Sequence, residues 1–317
     1  MTDADSVPGD AACVVIPAYN AARYLGEAAR SALAQTHAAL ELVVVDDGST
    51  DDTLAVARAL DDRRVRVLHV PNGGRARARN LGVAAARPSA YVAFLDADDV
   101  WDADKLATQL AWLAAHPDAA GVGSFMRYIS STGRVLGETG QEIDDAAHAL
   151  VARAELAPFP VSSCLVVRRA AFDTLGGFDP ALREAEDLEF MARLARLGRV
   201  RCVPRVLGSY RIHPESAMAR RRLLVNQYAR FVRQRLGVRD AGGELTWEAF
   251  AAAYRPGWRE RWRDRAEVWY RSAALWHGEG RRWRALRFGA LAAAAAPWYT
   301  LRRVYRQRFA RVGLRNG

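Results

Sequence analysis

Tyr91-Val92-Ala93-Phe94-Leu95-Asp96-Ala97-Asp98-Asp99 is an apolar run that stops abruptly on three aspartates. The same grammar occurs twice upstream. Glu41–Val45 leads into Asp46-Asp47-Gly48-Ser49, and Ala12–Ile16 leads into Pro17-Ala18-Tyr19-Asn20. Continuous apolar strands of this length are buried on both faces, which is the condition of a parallel sheet sandwiched between helices. The intervening segments read as those helices. Asn20 is expected to cap one running to about Gln35, and Ser49 one running to about Leu60. A third strand at Val65–Val70 is followed by Asn72-Gly73-Gly74 and a helix to about Ala86. Alternating strands and helices predict an α/β fold with a mostly parallel sheet flanked by helices. In such sheets ligands bind beyond the carboxyl ends of the strands, where these polar clusters lie.

Outward from this block the pattern becomes irregular. A helix is expected over Ala103–His116, short strands over Gly121–Gly137 and an apolar strand over Val161–Val167. Gly176-Gly177-Phe178-Asp179 reads as a loop, Glu186–Leu197 as a helix with one apolar face, and Arg205–Ile212 as an edge strand stopped by His213-Pro214. Beyond about Arg220 only helical patterns remain. The expected organisation is a flexible N-terminus over 1–11, the α/β domain over 12–215 and a helical, basic C-terminal region over 216–317.

Composition sharpens this division. The 317 residues are 50% apolar and 26% charged, which excludes disordered and fibrous classes. The net charge of +10 is unevenly spread. From Arg220 onward there are 23 Arg against 7 acidic residues, a net of +16, while residues 1–219 carry 23 basic and 29 acidic residues, a net of −6. Seven of the nine tryptophans lie in the last hundred residues. The acidic start lacks the features of a signal peptide. The longest uncharged run, Phe288–Leu301, has 14 residues and contains Pro297, short of the ~20 a spanning helix needs. Cys13, Cys164 and Cys202 sit in apolar runs and read as buried thiols. The expected location is cytoplasmic, or peripheral on the inner face of the membrane.

Aspartates gathered at one sheet edge repel one another unless a cation neutralises them. Hard oxygen ligands suit Mg²⁺ or Mn²⁺ shared with substrate phosphates. The competing reading is that Asp46, Asp47 and Asp96–Asp99 only cap turns and helices. No G-x-G-x-x-G follows a strand and no G-x-x-x-x-G-K-[ST] occurs, which disfavours Rossmann dehydrogenases and P-loop NTPases. Bound phosphates would then need a metal and Arg side chains.

Val14-Val15-Ile16-Pro17-Ala18-Tyr19-Asn20, Val44-Val45-Asp46-Asp47-Gly48-Ser49-Thr50-Asp51, Ala78-Arg79-Asn80, Phe94-Leu95-Asp96-Ala97-Asp98-Asp99 and Gly176-Gly177-Phe178-Asp179 with Glu186-Asp187 together resemble the family-2 glycosyltransferases of GT-A fold. The resemblance covers about residues 12–213. It implies that Pro17, Ala18 and Tyr19 line a nucleoside pocket, with Asp47 accepting from the base and Arg79 at the same pocket. It also implies that Asp96-Ala97-Asp98 is the D-x-D motif, with Asp96 and Ala97 at the donor and Asp98 on the metal. Asp187 would be the general base of an inverting transfer, and Gly177, Phe178 and Glu186 would lie on the acceptor side. His213 is a further candidate for the metal or a phosphate, against a purely structural reading. The implied donor is a nucleotide sugar, UDP- or dTDP-linked, and the acceptor a hydroxyl of a glycan or lipid-linked glycan in cell-envelope polysaccharide synthesis. Transfer to polyprenyl phosphate is a rival. A sugar nucleotidyltransferase is disfavoured, since it would want a Gly-rich first loop with a basic residue.

Three readings stay open for the tail: attachment of residues 220–317 to an anionic membrane surface, a helical cover with a solvated basic face, and nucleic-acid binding, the least favoured. Trp258, Trp262, Trp269 and Trp276 recur at spacings of four, seven and seven, so they share one helix face.

Overall fold

The structure is a computed structural model and describes residues 10–157, 161–214 and 221–301. The opening block folds as β1 (Ala12–Ala18), α1 (Ala22–Leu33), β2 (Leu40–Asp46), α2 (Thr53–Arg58), β3 (Val65–His69), α3 (Arg75–Ala85) and β4 (Tyr91–Phe94). These four strands are parallel in the order β3-β2-β1-β4. Alternation along β1 explains why the run is apolar throughout. Cys13 and Val15 join one core with Phe94, Phe172 and Phe190, while Val14 and Ile16 join another with Leu25, Leu42 and Leu106. Both faces of the sheet are therefore dry. On the first face α3 approaches closely, because a Cβ on Gly82 would stand 2.4 Å from Val15 Cγ1.

Beyond β4 come β5 (Val100–Trp101), α4 (Lys105–Ala115), β6 (Ala119–Ile129), β7 (Val135–Thr139), α5 (Asp145–Ala152), α6 (Val161–Cys164), β8 (Val166–Arg168), α7 (Arg169–Leu175), α8 (Glu186–Leu197) and β9 (Arg199–Arg211). The sheet continues β4-β8-β6-β9-β5, with β8 antiparallel to β4 and β6, and β5 antiparallel to β9. The result is an α/β fold of GT-A type with helices on both faces of the sheet.

Four local expectations need correction. Asn20 does not cap α1. It has φ of 50°, its Oδ1 accepts from Thr50 N (2.8 Å), and its own N–H donates to Ser49 Oγ (3.0 Å). Ser49 does not cap α2, which is preceded by Asp52 and is only six residues long. The two loops lie side by side past the strand ends, so their polar groups satisfy each other instead of their own helices. Val161–Cys164 is a helical turn, not a strand, because Ser162 and Ser163 are drawn toward the aspartates after β4. Finally, β9 is not an edge strand, since Gly208 and Ser209 pair with β5.

The chain forms two compact units. The first comprises residues 1–128 and 137–211, and the second residues 129–136 and 212–317. No contiguous boundary anticipates the excursion of 129–136. Within the second unit it is held by Ser131 N and Oγ donating to Glu279 (3.1 and 2.7 Å), while Ile212 N donates to Ile129 O (2.8 Å). The helices are α9 (Arg222–Asp240), α10 (Trp247–Ala253), α11 (Trp258–Gly278) and α12 (Arg282–Ala295). Tyr228 stacks on Trp247 at 3.8 Å beside Phe231 and Phe250, forming a small aromatic core. Among the described residues no helix is long and apolar enough to cross a membrane.

Candidate active site

The carboxyl ends of β1, β2 and β4 and the start of α8 supply the polar residues. Arg79 ties two of these places together. Its guanidinium is 1% exposed, donating from Nη2 to Asp96 Oδ1 and from Nη1 to Glu186 Oε1, both at 2.8 Å. One turn earlier on α3, Arg75 reaches Glu184 Oε2 at 2.8 Å and Glu186 Oε1 at 3.2 Å. Positions i and i+4 share a helix face, so α3 presents two guanidinium groups to one acidic cluster. The ring of Phe178 lies 5.2 Å from Arg79 Cζ.

The aspartates after β4 have different partners. Asp96 accepts from Arg79 and from Ser162 Oγ (2.7 Å). Asp99, 1% exposed, accepts from Ser163 Oγ (2.5 Å) and Arg211 N (2.8 Å). Half-buried Asp98 lies between them, and its carbonyl oxygen accepts from Arg211 Nε (2.8 Å). Burial, with the charges of Asp98 and Asp96, pushes the Asp99 carboxyl well above the usual carboxylate range. Burial would also raise Asp96, but Arg79 outweighs it and holds this carboxylate below its ordinary value. Neighbouring carboxylates are thus driven apart in proton affinity by their environments.

The Glu186-Asp187 pair shows the same divergence. Burial opposes ionisation of Glu186, yet Arg75 and Arg79 hold its pKa down. For Asp187, burial first and then the charge of Glu186 push the carboxyl up to about 6, against the pull of Arg75 and Arg79. Asp187 is only partly buried at the first turn of α8. A partly accessible carboxylate poised near neutrality suits a general base.

The remaining candidate residues divide between access and support. Pro17, Ala18 and Ala97 are buried, whereas Tyr19 is 52% exposed at the end of β1. Asp47 is buried and accepts from Gly73 N and Gly74 N, both at 2.8 Å, at the entry to α3. Phe178 is 1% exposed and stacks on Phe190 at 4.4 Å, so its ring faces the core. Its backbone is clasped by Asn80, which donates to Phe178 O (2.8 Å) and accepts from Phe178 N (2.9 Å). Gly177 has φ of +76°, and a Cβ there would meet Asn80 Oδ1 at 2.5 Å. His213 is buried and belongs to the second unit.

Arg75, Glu184, Ser162, Ser163 and Arg211 were not singled out from the sequence. The spacing of Arg75 and Arg79 was the available signal. The serines carried none, because they occupy a run that reads as strand.

Among the described residues no three His, Cys, Asp or Glu side chains converge to hold a metal by themselves. A single carboxylate such as Asp98, with substrate phosphates and water as the other oxygen donors, is still a common arrangement for Mg²⁺ or Mn²⁺. The residues present fit that kind of ion.

A GT-A-type α/β unit carrying basic and acidic side chains at one sheet edge is the class that fold and site define. The chain belongs to glycosyltransferase family 2: the sequence profile described as Glycosyl transferase family 2 matches residues 13–176, more than half of its length. An uncharacterized glycosyltransferase of Nostoc sp. is 34% identical over 208 residues, covering 63% of this chain and 64% of that protein. TuaG of Bacillus subtilis, provisionally assigned as a teichuronic acid biosynthesis glycosyltransferase, is 36% identical over 139 residues, or 43% and 52% of the two chains. The chain thus spans less than two thirds of either relative. Staphylococcus aureus TarS residues 1–349, solved with UDP-GlcNAc, superposes with a TM-score of 0.57 over 90% of this chain and 91% of that one. Sequence identity there is 17%, and the likeness is one of fold.

Proposed function

We propose that this protein is an inverting glycosyltransferase that moves a sugar from a nucleotide-diphosphate donor to a hydroxyl of a glycan or lipid-linked glycan in cell-envelope polysaccharide synthesis. The observation that carries the reading is the Arg79 bridge. It joins Asp96, in the D-x-D stretch, to Glu186, beside the proposed base and 90 positions further along the chain. Family membership, the UDP and UDP-GlcNAc complexes of TarS and the TuaG relative support it.

In this reading Tyr19 and Asp47 contribute to nucleoside binding and Asp98 holds Mg²⁺ or Mn²⁺. That cation, when bound, offsets negative charge on the departing diphosphate. Asp187 takes the proton of the acceptor hydroxyl as its oxygen attacks the anomeric carbon from the face opposite the leaving group. Glu186 stays ionised, and burial together with that charge keeps Asp187 basic enough to accept the proton. Arg75 and Arg79 hold Glu186 in place and restrain the rise.

The test is to screen UDP- and dTDP-sugars for slow donor hydrolysis with Mn²⁺ or Mg²⁺, then to offer glycan, lipid-linked glycan and polyprenyl-phosphate acceptors. Metal-stimulated hydrolysis of one donor and transfer to a hydroxyl acceptor are expected. Transfer only to polyprenyl phosphate would overturn the acceptor assignment. Hydrolysis of no donor with either metal would overturn the reading as a whole.

A further inference from the structure

The second unit carries its apolar surface in an unusual place. Trp258, Trp262, Trp283 and Trp298 are 63, 44, 86 and 78% exposed, and Leu286 and Leu301 are 64 and 60% exposed. Scattered exposed apolar residues need no explanation, but four tryptophans in one small helical unit do. α11 and α12 pack along each other, joined by the three residues 279–281, so they form a helical hairpin. Trp258 and Trp262 are one turn apart at the open end of α11. Trp298 lies just beyond the end of α12, past a break in the helix at Ala296. Trp283 and Leu286 stand one turn apart near the closed end.

Charge is sorted in the same unit. The hairpin's acidic residues are spent internally. Asp264 pairs with Arg230 (2.7 Å), Glu267 with Arg222 and Arg271, Glu260 with Arg230 (2.7 Å), and Glu279 accepts from Ser131. Arg259, Arg263, Arg265, Arg282, Arg284 and Arg287 are exposed, and none of them is ion-paired to a described residue. Two of them lie over the exposed rings, Arg259 at 5.3 Å from Trp258 and Arg265 at 5.8 Å from Trp262.

We propose that the α11–α12 hairpin is a docking face for an anionic lipid bilayer, with the exposed tryptophans and leucines in the headgroup–acyl boundary and the arginines on lipid phosphates. Trp is suited to that boundary because its ring is apolar and its N–H remains wet, and Arg can bury its stem while its head stays with the phosphates. A second copy of the chain fits less well. A two-fold self-contact would set one arginine-rich face against another, and charged residues are depleted from the centres of such interfaces. Leu286 and Leu301 offer no stacking plane to nucleic-acid bases.

The full chain is tested by sedimentation with vesicles of phosphatidylcholine alone and with 30% phosphatidylglycerol (~30 mol% sets a surface potential of the relevant sign and size), and by quenching of Trp emission with brominated lipids. Binding and quenching are expected only with the anionic vesicles, weakening with salt. Arg263→Gln, Arg282→Gln and Arg287→Gln together should lower partitioning about 10²-fold. Trp258→Ser with Trp262→Ser, Trp283→Ser and Trp298→Ser should abolish the quenching. Both sets leave the donor site untouched, so nucleotide binding and the far-ultraviolet spectrum should match those of the parent. Equal sedimentation with neutral vesicles, or none with either, would overturn the proposal. So would a stable dimer that buries these tryptophans, or single-stranded RNA bound more tightly than the anionic vesicles at the same salt.

Discussion

In the first unit Arg79 is 1% exposed and spends both terminal nitrogens on Asp96 and Glu186, while in the second Arg259, Arg263, Arg282 and Arg287 point into water beside exposed tryptophans. The difference teaches what an arginine needs in each setting. A buried guanidinium is tolerated only if carboxylates face it, and once they do the ensemble is stiff and its proton affinities are set by neighbours. An exposed guanidinium keeps its hydration, adds little to stability and remains available to an external anion. One unit uses arginine to build a site, and the other presents it.

Removing a carboxylate from the site should cut deepest. Asp98→Ala should abolish metal-dependent nucleotide binding; calorimetry with UDP and Mn²⁺ showing parental affinity would remove Asp98 from the metal. Asp187→Asn should keep donor affinity and lower turnover by roughly 10²–10⁴-fold, the usual contribution of a general base.

The pH dependence sharpens this second case. Asp187 must be ionised to act, so transfer should rise with pH through about 6 and then level off. The raised pKa also means that the folded protein binds this proton more tightly than the unfolded chain does. Ionised Asp187 therefore weakens the fold above pH about 6, and the penalty fades as pH falls toward the ordinary carboxylate range. Asp187→Asn should accordingly be the more stable protein at pH 7, with the gap closing on acidification. Denaturant midpoints across pH that moved in parallel would contradict this.

Next in size is the buried bridge. Arg79→Met leaves Asp96 and Glu186 without their shared cation and should cost about 3–5 kcal/mol in chemical unfolding. Gly177→Ala, which forces an L side chain into φ of +76° against Asn80, should cost about 1–3 kcal/mol. At the small end, Arg263→Glu should leave the unfolding midpoint unchanged while weakening adsorption to anionic vesicles. A large loss of stability there would erase the contrast between the two units.

The parallel half of the sheet was legible because a strand buried on both faces must be apolar at every position, and Ala12–Ile16, Glu41–Val45 and Tyr91–Leu95 nearly are. The aspartates were legible because they end those runs. The antiparallel half was harder to read. β5 is two residues long and β8 three, too short to show a period, and both are defined by the strands they pair with. Val161–Cys164 has β-branched and small residues that fit a strand, yet Ser162 and Ser163 hydrogen-bond to Asp96 and Asp99, and that contact decides its shape.

By itself the sequence determined the fold class, the polar strand ends, the Glu186-Asp187 pair and the basic, Trp-rich tail, since each follows from local pattern or count. Only the tertiary structure decided which aspartate is pushed up in proton affinity and which is held down, that Arg79 joins two motifs 90 residues apart, and that four of the tail's tryptophans face solvent. Those outcomes depend on desolvation and on partners distant along the chain, and neither is written in any window of sequence.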